Sequence, residues 1–124
     1  MNRKSKVLLI EDDIPSVKIY RNKLEMNQFD VSVATTGDEG LRKAQAEQPD
    51  AIILDLILPG LDGFLVLEEL KKDPRTEKIP VVILSNLGQK DDIERGKALG
   101  AVDYLVKADE SLVGLVEKMK KYSA

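Results

Sequence analysis

The chain has 124 residues, 43% of them apolar and 33% charged, with a net charge of −3 and neither cysteine nor histidine. That length fits one domain around one core, and the near balance of acid and base argues against direct nucleic-acid binding, which calls for a strongly basic face. Without Cys or His there can be no disulfide, no thiol chemistry, no zinc site on those ligands and no imidazole base, so any chemistry falls to carboxylates, hydroxyls, amines or backbone.

The first element is Lys6–Ile10 (KVLLI), an apolar run of strand length that Glu11, Asp12 and Asp13 cut off at once. No run approaches the ~18 apolar residues of a membrane span, and MNRKSK followed by so short a run is no signal peptide. A cytoplasmic location without a membrane partner is therefore expected. Asp13 and Pro15 offer a helix start, with Asp13 read as a cap rather than a metal ligand. Val17, Tyr20 and Leu24 recur at helical spacing, which carries that helix to about Asn27.

Asp30–Ala34 alternates like a strand, Thr36-Gly37 turns the chain, and Asp38–Glu47 is helical with Leu41 and Ala44 on one face. Ala51–Leu54 (AIIL) is wholly apolar, as a strand buried on both faces should be. After the Pro59-Gly60 turn, Asp62 caps a helix from Gly63 to about Lys72 bearing Phe64, Leu67 and Leu70, which Asp73-Pro74 stops. VVILS after Pro80 is the fourth strand. A helix over about Asp91–Leu99 has few apolar anchors, chiefly Ile93, Ala98 and Leu99, and is equally an exposed helix or a mobile partner surface. Val102–Val106 is the fifth strand. Glu110–Lys121 is the last helix, with Leu112, Leu115 or Val116, and Met119 inward. Lys118, Lys120 and Lys121 form its solvated end, where cations suit the helix dipole.

Five strands alternating with five helices imply a parallel sheet covered on both faces. Right-handed crossovers favour a doubly wound, flavodoxin-like α/β fold with strand order 2-1-3-4-5. The expected organisation is one domain over residues 1–124, with no effector domain after the last helix.

Ligands of such folds bind beyond the carboxyl ends of the strands. Strand 1 ends in Glu11-Asp12-Asp13, strand 3 in Asp55, strand 4 in Ser85 and strand 5 in Lys107. Clustered carboxylates disfavour one another's ionisation unless a cation intervenes. An oxygen-only set of two or three carboxylates suits Mg²⁺, with Mn²⁺ as an alternative. Asp55, following an apolar strand, is fixed and partly desolvated, and a carboxylate can attack phosphorus to form an aspartyl phosphate. Lys107, the Ser85 hydroxyl and backbone N–H groups could then neutralise the phosphoryl oxygens alongside the metal.

Together VLLIEDD, AIILDLILPGLDG, IPVVILSN and GAVDYLVK resemble, over essentially the whole chain, the receiver domain of two-component response regulators, CheY-like in form. The steps of 43 residues from Asp12 to Asp55, 30 to Ser85 and 22 to Lys107 resemble the family's spacing. The resemblance implies that Asp55 is the phosphoacceptor for a histidine on a sensor kinase or phosphotransfer protein. It also implies that Asp12 and the Ile57 backbone carbonyl bind Mg²⁺ directly with Asp55, while Glu11 acts through water. Ser85 would move toward the phosphoryl group and Tyr104 turn inward behind it, changing the face made by helix 4, strand 5 and helix 5 for an output protein. A monomer or a phosphorylation-dependent dimer would result.

The sequence departs from the family pattern at two places. Ala108 stands where proline usually follows the lysine, so a trans Lys107-Ala108 bond is expected, because a cis bond without proline costs ~3 kcal/mol. Asn86 replaces a small residue and narrows access. Ile57 and Leu87, both apolar, imply slow loss of phosphate. Two other readings remain: a receiver-like adaptor that works without phosphorylation, and a small metal-dependent phosphatase. The second lacks the aspartate expected two residues beyond the nucleophile, where Ile57 stands.

Overall fold

The computed structural model describes residues 3–124. Its elements follow one another as β1 (Ser5–Ile10), α1 (Ile14–Met26), β2 (Phe29–Ala34), α2 (Gly37–Glu47), β3 (Ala51–Leu54), α3 (Gly63–Lys72), β4 (Val81–Ser85), α4 (Lys90–Ala98), β5 (Asp103–Val106) and α5 (Leu112–Tyr122), with a 3₁₀ turn over Lys107–Asp109 before α5. All five strands are parallel, in the order β2-β1-β3-β4-β5. This is the flavodoxin-like arrangement expected from the alternation of elements.

The two-residue period of the central strands splits the core into two layers. Leu8 and Ile10 of β1, Ile52 and Leu54 of β3, and Ile83 of β4 point to one face. There they meet Ala44 of α2, Phe64, Val66, Leu67 and Leu70 of α3, and Tyr104. Val7, Leu9, Ile53, Val82 and Leu84 point to the other face, against Val17 and Leu24 of α1 and Leu115, Val116 and Met119 of α5. Leu8, Ile10, Ile52, Leu54 and Ile83 are fully buried, and each such side chain contributes roughly 1.5–3 kcal/mol of transfer free energy. On the outer edge of the sheet, the Lys43 ammonium donates to the Val33 carbonyl at 2.5 Å, which blunts β2 as a template for another strand.

The caps are local. Asp13 accepts from Ser16 N–H at 3.1 Å to open α1, and Asp62 accepts from Phe64 N–H at 2.8 Å to open α3, as read from sequence. Thr36 and Ser111 do the same for α2 and α5. Gly60 takes φ +80° in the expected turn. The loop after α3 is stitched down by Lys71, which donates to the Glu77 and Ile79 carbonyls at 3.1 and 2.8 Å. Burial holds its ammonium below the usual lysine range, the nearby Glu77 carboxylate offsetting only part of that.

Three expectations need correction. Leu112 is exposed rather than inward: it is the first residue of α5, one turn before the buried Leu115 and Val116. Ala98 is exposed and anchors nothing, while the buried residue of α4 is Gly96. Val102 precedes β5 and lies largely in solvent. Among the described residues no helix is long and apolar enough to cross a membrane.

Candidate functional site

Three parallel strands lie side by side at the centre of the sheet, so their carboxyl ends reach one edge together. β1 delivers Glu11 and Asp12, β3 delivers Asp55, and β4 delivers Ser85; β5 adds Lys107 from beside β4. The backbone carries the register past the strands, with Asp55 N–H donating to the Ile10 carbonyl at 3.0 Å and Glu11 N–H to the Ala34 carbonyl at 2.9 Å. Asp55 is 6% exposed, Glu11 1% and Ser85 fully buried, whereas Asp12 faces solvent.

Lys107 is the hub. Its ammonium lies 2.9 Å from Asp55 Oδ2 and donates also to Glu11 Oε1. Asp55 Oδ1 accepts from Ile57 N–H at 3.1 Å, and Glu11 Oε2 from Asp13 N–H at 3.2 Å. Both buried carboxylates thus have every oxygen engaged, as buried charge requires. Burial pushes the Glu11 carboxyl up and the Asp55 charge adds to this, only partly offset by Lys107. Burial alone would lower the Lys107 ammonium, but its bonds to Glu11 and Asp55 outweigh that and hold it above the usual lysine range.

The lysine reaches the site without a cis bond. Among the described residues there is no cis peptide, as expected for Lys107-Ala108, and the chain turns instead through the 3₁₀ segment Lys107–Asp109. Ser85 Oγ accepts from Leu87 N–H at 3.3 Å, and the Leu87 carbonyl accepts from the Tyr104 hydroxyl. The Tyr104 ring is 8% exposed. The ring thus lies inward in this structure. Burial, then the Asp92 and Asp55 charges, push its hydroxyl up to about 12. Asn86 and Ala108 lie exposed near the site, and the Ile57 side chain, 55% exposed, adds an apolar group to the rim.

Glu11, Asp12 and Asp55 each offer an oxygen such that all lie within 4.8 Å of one another. Three carboxylates against one ammonium leave a deficit of positive charge, and the donors are all hard oxygens. The set fits Mg²⁺ or Mn²⁺, both of which favour carboxylate and carbonyl oxygens. Thermal melting with added Mg²⁺ should show a rise that Asp12→Ala abolishes. With no metal present the same variant should melt no lower than the parent, because it removes one of three crowded carboxylates.

A profile of the response regulator receiver domain matches residues 7–117. The chain belongs to the response regulator receiver domain family. As such it is a signalling module of two-component systems. Among curated relatives, the DNA-binding dual master transcriptional regulator RpaA of Synechocystis is 44% identical over 102 residues, covering 82% of this chain and 42% of RpaA. The chain thus spans less than half the length of the first curated relatives it matches. The receiver domain of Francisella response regulator 1452 superposes with a TM-score of 0.90 at 32% identity, covering 97% of both chains. The Mn(2+)-bound form of response regulator Rcp1 superposes with a TM-score of 0.82 at 28% identity, covering 94% of this receiver domain and 92% of Rcp1.

Two features of the receiver site were not read from the sequence. Glu11 and Lys107 form a direct pair although 96 residues separate them. Gly63 lies against the Asp55–Leu56 backbone, where an added Cβ would sit 2.3 Å from Leu56 Cα and 2.8 Å from the Asp55 carbonyl oxygen. The glycine that closes the LPGLDG motif was the signal for the second; the first had none.

Proposed function

We propose that this receiver domain accepts a phosphoryl group on Asp55 from a histidine of a sensor kinase or phosphotransfer protein, and presents the α4–β5–α5 face to an output protein. The observation that supports it most is the buried Asp55 carboxylate held between a lysine ammonium at 2.9 Å and a backbone N–H at 3.1 Å, with two further carboxylates close by.

Asp12, Asp55 and the Ile57 carbonyl would hold Mg²⁺. Glu11 would act through water, its oxygens accepting from Lys107 and the Asp13 N–H on the buried side of the site. The ion supplies charge neutralisation to the phosphoryl oxygens. An Asp55 carboxylate oxygen forms the new P–O bond while the bond from phosphorus to the donor's histidine nitrogen breaks, its electron pair staying on that nitrogen. A carboxylate nucleophile has no proton to lose, so a chain without histidine needs no base. Lys107 turns from Asp55 to a phosphoryl oxygen and spreads the developing charge. Ser85, freed from the Leu87 N–H, donates to another.

Hydrolysis of the product needs an oriented water. The Ile57 and Leu87 side chains offer no hydrogen bond, so slow loss is the expected result. Acetyl phosphate with Mg²⁺ should add one phosphoryl group to the parent chain by intact mass and none to Asp55→Ala. The added mass should persist for minutes or longer in Mg²⁺. Decay within seconds would overturn the role given to Ile57 and Leu87. No gain in the parent would favour an adaptor that works without phosphorylation.

A further inference from the structure

Gly96 is the buried residue of α4, a nine-residue helix whose other residues are half-buried or exposed. A glycine in a helix interior weakens the helix relative to alanine, and only Gly60 and Gly100 among the described glycines have positive φ. The backbone at Gly96 therefore does not demand glycine. The packing does: a Cβ there would lie 2.6 Å from Ile83 Cδ1, 2.9 Å from Tyr104 Cδ2 and 3.2 Å from Tyr104 Cε2. Ile83 is walled in on β4, so the ring of Tyr104 is the neighbour with somewhere to go.

The rest of α4 is held thinly. Its N-cap, Gln89, makes no side-chain cap bond. Ile93 and Leu99 are partly buried against the core, and the Arg95 guanidinium lies 4.2 Å from the centre of the Phe64 ring on α3. From the Tyr104 hydroxyl, hydrogen bonds run through one residue, Leu87, to the Ser85 hydroxyl beside Asp55.

We propose that Gly96 is a positioning residue: the side chain missing from α4 is the opening that admits the Tyr104 ring, and this contact sets how the α4 face is linked to the Asp55 site. The proposal rests on phosphorylation of Asp55 only for its second half; the placement of the ring stands without it. With a methyl group at 96, either the ring leaves or α4 lifts, and both break the bond from Tyr104 to Leu87. Asp55, Lys107 and the acids are untouched, so phosphoryl acceptance continues while its effect on α4 is lost.

The test uses the full chain labelled with 3-fluorotyrosine, in which Tyr20, Tyr104 and Tyr122 are the only tyrosines and Tyr104→Phe assigns the resonance. In Gly96→Ala the Tyr104 resonance should move to the position of a solvated ring. The phosphoryl yield at Asp55 should stay of the same order as in the parent, and phosphorylation should no longer shift the Tyr104 signal. Melting separates this from a helix-propensity effect: Gly96→Ala should lower the melting temperature of the parent and raise it in an Ile83→Val, Tyr104→Leu background, where both close neighbours are cut back. If Gly96→Ala alone fails to fold, adding Ile83→Val removes the closest methyl and leaves the Tyr104 contact to be read. A Tyr104 resonance unchanged from the parent, with a parent-like response to phosphorylation, would overturn the proposal. Failure of the parent to take phosphate would overturn the proposed phosphorylation and the link to it, while the unphosphorylated resonance would still decide the placement of Tyr104.

Discussion

Lys107→Met should lower stability at neutral pH by on the order of 3 kcal/mol and slow phosphoryl acceptance by about a hundredfold. Methionine keeps an apolar stem but removes the ammonium that lies between Glu11 and Asp55. Two nearly buried carboxylates then face each other without a counter-charge. The pH dependence identifies the cause. In the parent, burial raises the Glu11 carboxyl and Lys107 opposes part of that rise. In the variant that opposition is gone, so Glu11 holds its proton to higher pH. A carboxyl raised in the folded state favours folding while protonated, and that gain is lost as pH rises through its raised value. The deficit against the parent should therefore be small in acid and grow as pH climbs through the raised carboxylate range. The parent should keep the Lys107 contribution up to the ordinary lysine range and lose it above, because that ammonium is itself raised. Urea melts of both proteins across pH would show this divergence. A deficit independent of pH would mean that Lys107 acts through packing alone.

Gly63→Ala should cost at least about 3 kcal/mol, at or beyond the upper end of what overpacking usually costs. The added methyl would meet the backbone at Leu56 Cα and at the carbonyl oxygens of Asp55 and Leu56, none of which can rotate away. Relief requires α3 to slide off the end of β3, breaking the 3.1 Å bond from Gly63 N–H to the Leu56 carbonyl. That movement displaces the Ile57 N–H which holds Asp55, so phosphoryl acceptance falls with stability. Gly60→Ala is the control. Gly60 has φ +80° but no atom within 4 Å of an added Cβ, so its cost is the left-handed backbone alone, about 1 kcal/mol. Equal denaturation midpoints for the two variants would show that close approach at Gly63 is unimportant.

The sheet was legible because its central strands are short and wholly apolar. AIIL and VVILS have no other home in a chain of this size, and the polar residue ending each run marks the functional edge. Asp13 and Asp62 were legible as caps because capping is a matter of neighbouring residues. Contacts between distant segments were not. Nothing in the pattern says that Glu11 accepts from Lys107 rather than standing free beside a metal. α4 misled for a related reason. Apolar periodicity points to side chains such as Ala98, whereas its tightest contact is made at Gly96, which has no side chain. Leu112 has the right period but is the first residue of α5, one turn before the buried Leu115 and Val116.

Borohydride trapping is the most direct measurement of where phosphate is taken. It reduces an acyl phosphate to the alcohol, turning a phosphorylated aspartate into homoserine that tandem mass spectrometry locates. After acetyl phosphate and Mg²⁺, homoserine is expected at position 55 alone, with none when Mg²⁺ is withheld. Homoserine at Asp12 or another acid, or none in a fully folded parent, would contradict the assignment of Asp55 as the residue that accepts phosphate.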